Sequence, residues 1–280
     1  MKRVISVFLF PGFEMLDVFG PLELFKAVNS VLASREGQSF RLDPLPEKGG
    51  YVIETTSYVG RRRDGASGVS TTVAVKSSGG PKVEARATFS EGDSAACSED
   101  REQRTTFLVP GGRGARPLVE DKELLDHIAS RCRSVGRIAT VCTGTALLAK
   151  AGVLDGREAT TNKQSFEWVV SQRPKRVRWQ KCARWIRCVG EGCGGGGGVG
   201  AGEGAAGEGA TGEGAAGEGG AATTRKKTIW TSSGVSAGMD MALAIIAEDF
   251  SLELAKEAAD YAEYVPNWDS RIDPFAGQSS

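Results

Sequence analysis

Residues 136–156 read GRIATVCTGTALLAKAGVLDG, a strand pattern that changes into a helix pattern within four residues. Residues 137–141 form a short apolar segment of the kind that occupies a buried strand. Residues 146–151 are mostly strong helix formers. A strand that enters a helix through such an abrupt turn predicts a nucleophile elbow, with Cys142 on the turn.

Two features of this turn suit a reactive cysteine. Gly144 lacks a side chain, so the start of the helix can pass close to the strand. The first N–H groups and the positive dipole end of the helix should point at the sulfur of Cys142, which favours the reactive thiolate. A cysteine in an apolar strand is more often a small core residue, and spacing alone leaves that alternative open.

Composition sets limits on the class of protein. The 280 residues include 35 basic and 35 acidic side chains, so net charge gives no argument for a nucleic-acid or membrane partner. No apolar run reaches the ~20 residues of a membrane span. The six cysteines do not form a disulfide scaffold, and none has the histidine spacing of a zinc site. We therefore expect one domain over residues 1–280, with no bound metal.

The first apolar run, residues 3–10, predicts a central strand buried on both faces. We interpret it as a strand rather than a signal peptide, because it lacks a small-residue cleavage site. The expected location is then the cytoplasm, with the nucleus as an alternative. Asp17 follows this strand, before a helix predicted to start near Pro21. It should lie at the carboxyl edge of the sheet, where ligands bind in open α/β folds.

A second buried strand, residues 106–109, is followed by Pro110, Gly111 and Gly112. The two glycines would let backbone N–H groups approach a ligand closely. The only histidine, His127, falls within a helix predicted over residues 120–132. We place it on the surface or on a helix face, away from Cys142.

Two segments do not fit the regular pattern. Residues 59–104 are predicted to be a partly irregular insertion that contains a short strand at 71–75. Residues 188–227 are rich in Gly, Ala and Glu and are expected to be disordered. Residues 183–186 and 228–233 flank that second segment and are predicted to pair as a hairpin. Between the elbow and the hairpin we expect a strand at 157–161, a helix at 162–169 and a strand at 177–185.

Four blocks together resemble the ThiJ/PfpI superfamily, a class I glutamine amidotransferase-like group, and are most similar to its isonitrile hydratase-like members. The blocks are FPGFEMLDVFGPLELF, FLVPGG, ATVCTGTALLAKAGVLDGREATT and IWTSSGVSAGMDMALAII. The resemblance implies a flavodoxin-like three-layer α/β/α sandwich with a mostly parallel sheet, interrupted by the glycine-rich insert. It also implies a homodimer and a small-molecule substrate.

The resemblance assigns roles to individual residues. Cys142 matches the nucleophile, Asp17 the carboxylate beside it, and Thr143 an assisting hydroxyl. Gly112 and the Thr143 amide match oxyanion donors, and we include Gly111 and Gly144 in the same substrate-binding set.

Two departures from the family pattern narrow the chemistry. Peptidase-like members have histidine directly after the cysteine, where this chain has Thr143, so we do not expect a peptidase. Many members have histidine after the next Thr-Thr pair, where this chain has Asn162, a possible pocket residue. Proton transfer should therefore fall to Asp17, Thr143 or water.

The resulting expectation is a cofactor-free, cysteine-dependent hydro-lyase. It would hydrate an isonitrile to an N-substituted formamide through attack by Cys142. Alternatives are a glyoxalase- or deglycase-like enzyme on α-oxoaldehydes and a non-catalytic cysteine redox sensor. A ligand-binding regulatory module ranks last, because no DNA-binding region is evident.

Overall fold

The computed structural model describes residues 2–37, 49–60, 72–88, 98–190 and 227–277. The strands are β1 (Arg3–Phe8), β2 (Tyr51–Tyr58), β3 (Thr72–Lys76), β4 (Lys82–Thr88), β5 (Thr105–Val109), β6 (Arg137–Thr140), β7 (Glu158–Ala159), β8 (Arg178–Trp179), β9 (Trp185–Val189) and β10 (Thr228–Ser232). The helices are α1 (Met15–Arg35), α2 (Glu99–Gln103), α3 (Ala115–Leu118), α4 (Lys122–Ser134), α5 (Gly144–Lys150), α6 (Phe166–Ser171), α7 (Ala237–Asp249) and α8 (Leu252–Tyr261).

The main sheet has eight strands in the order β3-β4-β2-β1-β5-β6-β10-β9. Six strands run parallel, while β3 and β9 pair antiparallel with their neighbours at the two edges. Helices α1, α7 and α8 pack together as one group, and α3, α4, α5 and α6 form another. This is the flavodoxin-like α/β/α sandwich with a mostly parallel sheet that the sequence predicted.

The centre of the sheet explains where functional residues collect. All five residues of β5 are buried, as are five of the six in β1, which suits strands covered by helices on both faces. Because parallel strands end at the same edge, the segments that follow β1, β5, β6 and β10 converge there. These segments contain Asp17, Gly111, Cys142 and Ser233, respectively.

Several predicted element boundaries are wrong. Helix α1 begins at Met15 and continues through Pro21, so Asp17 lies in its first turn instead of before the helix. The predicted strand 177–185 is two short strands, β8 and β9, joined by a turn. The predicted strand 157–161 is only the two-residue β7. The helix predicted over 162–169 begins at Phe166, and the side chain of Asn162 accepts the N–H of Ser165 in the preceding turn.

The two atypical segments are only partly described. Within 59–104, β3 and β4 extend the main sheet, so this part of the predicted insertion is regular structure. Strand β9 pairs with β10 in the register Ile186 to Thr231, which confirms the predicted hairpin. It continues to Val189, inside the range predicted as the glycine-rich insert. Residues 191–226 of that insert lie outside the described residues, and the predicted domain division stays a prediction.

None of the helices in the described ranges is long and apolar enough to cross a bilayer. Those ranges also contain no group of three or more His, Cys, Asp or Glu side chains placed to hold a metal ion.

Candidate functional site

Cys142 lies on a tight turn between β6 and α5. Its φ is +58°, a left-handed conformation that is strained for a residue with a side chain. The turn is held by two backbone hydrogen bonds: Cys142 N–H donates to the Ser233 carbonyl at 2.9 Å, and Gly144 N–H donates to the Val141 carbonyl at 3.0 Å. The predicted strand–turn–helix geometry is therefore present, and the sulfur is directed to the carboxyl edge of the sheet.

Two glycines allow the strand ends to approach each other here. A Cβ atom on Gly144 would lie 2.4 Å from the Pro110 carbonyl oxygen. A Cβ atom on Gly111 would lie 2.6 Å from the Thr143 nitrogen and 2.8 Å from Asp17 Oδ2. All three distances are below normal contact, so any larger residue at either position would force the site apart.

Asp17 supplies a buried carboxyl group beside the sulfur. Its side chain is fully buried, and Oδ2 accepts the N–H of Gly111 at 2.8 Å. Oδ1 is buried and has no hydrogen-bond partner among the described residues, and the carboxyl group as a whole interacts with the thiol of Cys142. Burial raises the pKa of Asp17 from its ordinary 3.8 to about 7; the Gly111 N–H opposes that rise, and the charge of Glu14 adds to it.

The thiol of Cys142 is also harder to ionise than a free cysteine. Burial raises its pKa, and the nearby charge of Asp17 raises that pKa further, while hydrogen bonds from Thr143 and Asn162 oppose the shift. The start of the helix does favour the thiolate, as predicted, through the Thr143 N–H, but burial and the charge of Asp17 outweigh this contribution and the thiol form is favoured. Helix α5 has only seven residues, and its N–H groups offset less than desolvation costs. Near neutral pH the pair therefore keeps at least one proton, as expected for two acids in contact.

Thr143 and the two glycines form the floor of the site. Gly112 N–H donates to Thr143 Oγ1 at 2.9 Å, and Thr143 Oγ1 donates to the Gly112 carbonyl at 3.3 Å. The N–H groups of Gly111 and Gly112 are thus engaged with Asp17 and Thr143, and in this conformation they position those side chains. The backbone N–H of Thr143 interacts with the sulfur itself.

Asn162 completes the surroundings of the sulfur. Its side-chain amide interacts with the Cys142 thiol, and it also lines a cavity of about 280 Å³ beside the site. Sequence reasoning missed Thr161, whose hydroxyl donates to the Cys142 carbonyl at 2.7 Å, and Ser233, whose carbonyl holds the Cys142 N–H. The only available signal was that Ser233 directly follows β10, and that Thr161 lies two residues after β7 of the small two-stranded sheet.

His127 is not on the surface, contrary to one of the two predicted placements. It lies on the inward face of α4, where its ring packs 4.8 Å from the ring of Tyr58 and 6.2 Å from that of Phe8. Its Nε2 atom is 3.2 Å from the Thr88 hydroxyl. Since this is the only histidine in the chain, and the groups that interact with the Cys142 thiol are Asp17, Thr143 and Asn162, the site has no Cys–His pair.

Residues 2–181 match the family model described as the DJ-1/PfpI family. The chain belongs to the DJ-1/PfpI family. This confirms the resemblance to the ThiJ/PfpI superfamily. In this DJ-1/PfpI chain Thr143 follows the cysteine, where the peptidase-like pattern has histidine.

Two curated relatives are similar to this DJ-1/PfpI chain. Isonitrile hydratase of Pseudomonas putida is 38% identical over 162 residues, which cover 58% of this chain and 53% of the hydratase. An uncharacterized protein in the cpoL 5′ region of Streptomyces lividans is 30% identical over 161 residues, which cover 57% of this chain and 87% of that protein. The matched region thus spans about half of the hydratase's length.

Solved structures agree on the fold. A THiJ/PfpI family protein from Pseudomonas syringae superimposes with a TM-score of 0.58 at 20% identity, covering 99% of this chain and 80% of that one. Drosophila melanogaster DJ-1beta gives a TM-score of 0.55 at 15% identity, covering 95% and 100%, respectively. At these identities the similarity supports the architecture and says nothing about the reaction.

Proposed function

We propose that this DJ-1/PfpI protein is a cysteine-dependent hydratase or lyase that acts on a small electrophile, and that it converts an isonitrile to an N-substituted formamide. The observation that carries this proposal is the contact between the buried Asp17 carboxyl and the Cys142 thiol, with no histidine beside them. The 38% identity to an isonitrile hydratase over 162 residues supports the same reaction.

The first step uses Asp17 as a proton carrier. With a pKa of about 7, Asp17 is partly ionised near neutral pH and can accept the thiol proton as the sulfur attacks. The sulfur of Cys142 forms a bond to the terminal carbon of R–N≡C, and Asp17 returns the proton to that same carbon. The product is a thioimidate, S–CH=N–R, and one proton has moved from sulfur to carbon without any change in oxidation state.

The second step consumes water. Asp17 accepts a proton from a water molecule that adds to the thioimidate carbon, and this proton passes to the nitrogen. The tetrahedral adduct then collapses: its hydroxyl proton returns to sulfur, the C–S bond breaks and R–NH–CHO leaves. The Thr143 N–H, which already interacts with the sulfur, would stabilise it as it departs. The sum is addition of one water molecule to one isonitrile.

The raised pKa of Cys142 weighs more against the redox-sensor alternative than against the hydratase, because oxidation needs a preformed thiolate, whereas Asp17 can take the thiol proton as the sulfur attacks a bound isonitrile. An α-oxoaldehyde reaction is less well supported, because histidine often assists that chemistry and Asn162 occupies the matching position.

The direct test compares Cys142→Ala with Cys182→Ala, which removes an exposed free cysteine instead of the buried one. Formamide formation from an alkyl isonitrile is followed by proton NMR on the full chain. We expect Cys142→Ala to fall to the uncatalysed rate and Cys182→Ala to keep the wild-type rate. Full turnover by Cys142→Ala would refute the mechanism, and methylglyoxal consumption without isonitrile hydration would assign the site to α-oxoaldehydes.

A further inference from the structure

A cavity of about 280 Å³ opens beside the site, and we call it the tail pocket because the C-terminal segment forms one of its walls. Leu16, Asn162, Val235 and Phe275 are among its lining residues. Asn162 also interacts with the Cys142 thiol, and Ser233, another lining residue, accepts the Cys142 N–H through its carbonyl. The tail pocket therefore shares two residues with the surroundings of the nucleophile.

Apolar side chains form the open part of this pocket. Leu16, at the start of α1, and Phe275, in the C-terminal segment, are both 46% exposed. Val235, in the segment that follows β10, also lines the pocket. Exposed large apolar side chains around a concave site are typical of a surface that binds an apolar group.

The charged residues of the tail pocket are already neutralised. Lys163 and Arg184 line it, with side chains only 3% and 6% exposed. Arg184 contacts Asp240 at 2.7 Å, and both cations lie 3.7 Å from a carboxylate oxygen of Asp273. Two positive and two negative groups cancel, so this cluster leaves no net charge to attract an anionic substrate. An uncharged substituent fits the pocket better.

The same cluster fixes the C-terminal segment in place. The backbone N–H of Asp273 donates to the Cys182 carbonyl at 2.7 Å, and Arg184 N–H donates to the Ser270 carbonyl at 2.8 Å. The Asp273 carboxylate accepts the N–H of Phe275 at 3.0 Å. Phe275 is thus held at the pocket by a buried ion cluster and is not a freely moving tail residue.

We propose that the tail pocket is the subsite for the organic substituent of the electrophile, and that Phe275 and Leu16 select uncharged, bulky substituents such as cycloalkyl or aryl groups. Its volume of about 280 Å³ lies just below the range of roughly 300–1,000 Å³ that is usual for ligand sites, so it suits one ring rather than an extended chain. The choice of isonitrile as substrate rests on the proposed function, whereas the subsite rests on the geometry alone.

The test compares Phe275→Ala and Leu16→Ala with Ile272→Ala, a 63% exposed residue of the same segment that does not line the pocket. Hydration of cyclohexyl isocyanide and methyl isocyanide is measured for each variant of the full chain. We expect the cyclohexyl-to-methyl ratio of kcat/KM to fall about 10-fold in Phe275→Ala, somewhat less in Leu16→Ala, and to stay unchanged in Ile272→Ala.

A second readout separates the subsite from the reaction. The rate of Cys142 alkylation by N-cyclohexylmaleimide and by N-methylmaleimide is measured by peptide mapping of the same variants. A ratio that falls in Phe275→Ala while wild type hydrates neither isonitrile would support the subsite and refute the proposed reaction. A Phe275→Ala ratio equal to that of Ile272→Ala in both assays, or a wild type indifferent to substituent size, would overturn the subsite.

Discussion

Asp249 at the amino edge of the main sheet and Asp17 at its carboxyl edge both have buried side chains, and their surroundings are opposite. At the amino edge, Asp249 accepts hydrogen bonds from Arg137 at 2.7 Å and Tyr51 at 2.8 Å, and Arg3 lies 3.1 Å away. At the carboxyl edge, Asp17 accepts one backbone N–H from Gly111 and has a thiol as its other neighbour. The first carboxylate is paired with cations, and the second is not.

This difference separates a carboxylate that stabilises the fold from a carboxyl group that can take part in a reaction. The Asp249 carboxylate lies between the Arg3 and Arg137 guanidinium groups, and these ion pairs join β1, β6 and the end of α7. A buried carboxyl without a cation has a pKa of about 7 and can exchange a proton with a substrate. The amino edge also has a cavity, of about 270 Å³, but the charges around it are engaged with one another, and we assign it no ligand.

The largest expected effect is on the chemistry of the carboxyl edge. Asp17→Asn should lower kcat by about 10²- to 10⁴-fold, because the amide cannot carry the proton from sulfur to carbon. In wild type, kcat should rise as pH increases through about 7, because Asp17 ionises there. The Asp17→Asn variant should lack this rise in its pH profile. The matched control is Glu23→Gln, an exposed carboxylate on the same helix, which should leave rate and pH profile unchanged. If Asp17→Asn shows the same rise of kcat with pH as wild type, Asp17 is not the proton carrier.

The same substitution should change how stability depends on pH. The pKa of Asp17 rises on folding from 3.8 to about 7, so the folded chain holds this proton more tightly than the unfolded chain. The stabilisation from that proton is complete below about pH 4 and is lost as pH increases through about 7. Asp17→Asn should be the more stable protein at pH 8, by at most about 4 kcal/mol, with the difference shrinking toward pH 5. Urea unfolding at pH 5, 6, 7 and 8 measures this, and a pH-independent difference would contradict it.

The amino edge should respond in the opposite sense. Arg137→Met leaves the buried Asp249 with one cation fewer and should lower the free energy of unfolding by about 3 kcal/mol. The control Arg35→Met removes an exposed pair with Glu257 and should cost less than about 1 kcal/mol. Alkylation of Cys142 in folded Arg137→Met should match wild type, since the change is at the other edge. If Arg137→Met lowers the alkylation rate of Cys142 without lowering stability, the amino edge would have a role in the chemistry, contrary to the proposal.

Short-range patterns were sufficient for the parts of the site that depend on neighbouring residues. The strand–turn–helix pattern around Cys142 and Gly144 predicted the elbow, and the apolar run before Asp17 placed that residue at the same sheet edge. The hairpin between β9 and β10 could be predicted across the glycine-rich insert, because a short apolar segment flanks the insert on each side. These features depend on the spacing of residues within a few positions of one another.

Properties that depend on burial could not be predicted in this way. The ionisation of Cys142 was expected to follow its helix, yet desolvation and the charge of Asp17 dominate, and both arise from packing of segments more than 100 residues apart. The cluster of Lys163, Arg184 and Asp273 likewise joins residues distant in the chain. Nothing in the local sequence marks these groups as partners.

The chain's own order of residues was enough to establish a mostly parallel α/β sheet with a cysteine on the turn after a central strand and a carboxyl group after the first one. Only the folded molecule decided that this carboxyl would lack a cation, that the thiol would keep its proton, and that Phe275 would stand beside the pocket. The reason is physical: periodicity and turn chemistry act between neighbours, whereas desolvation and charge pairing depend on which distant segments meet.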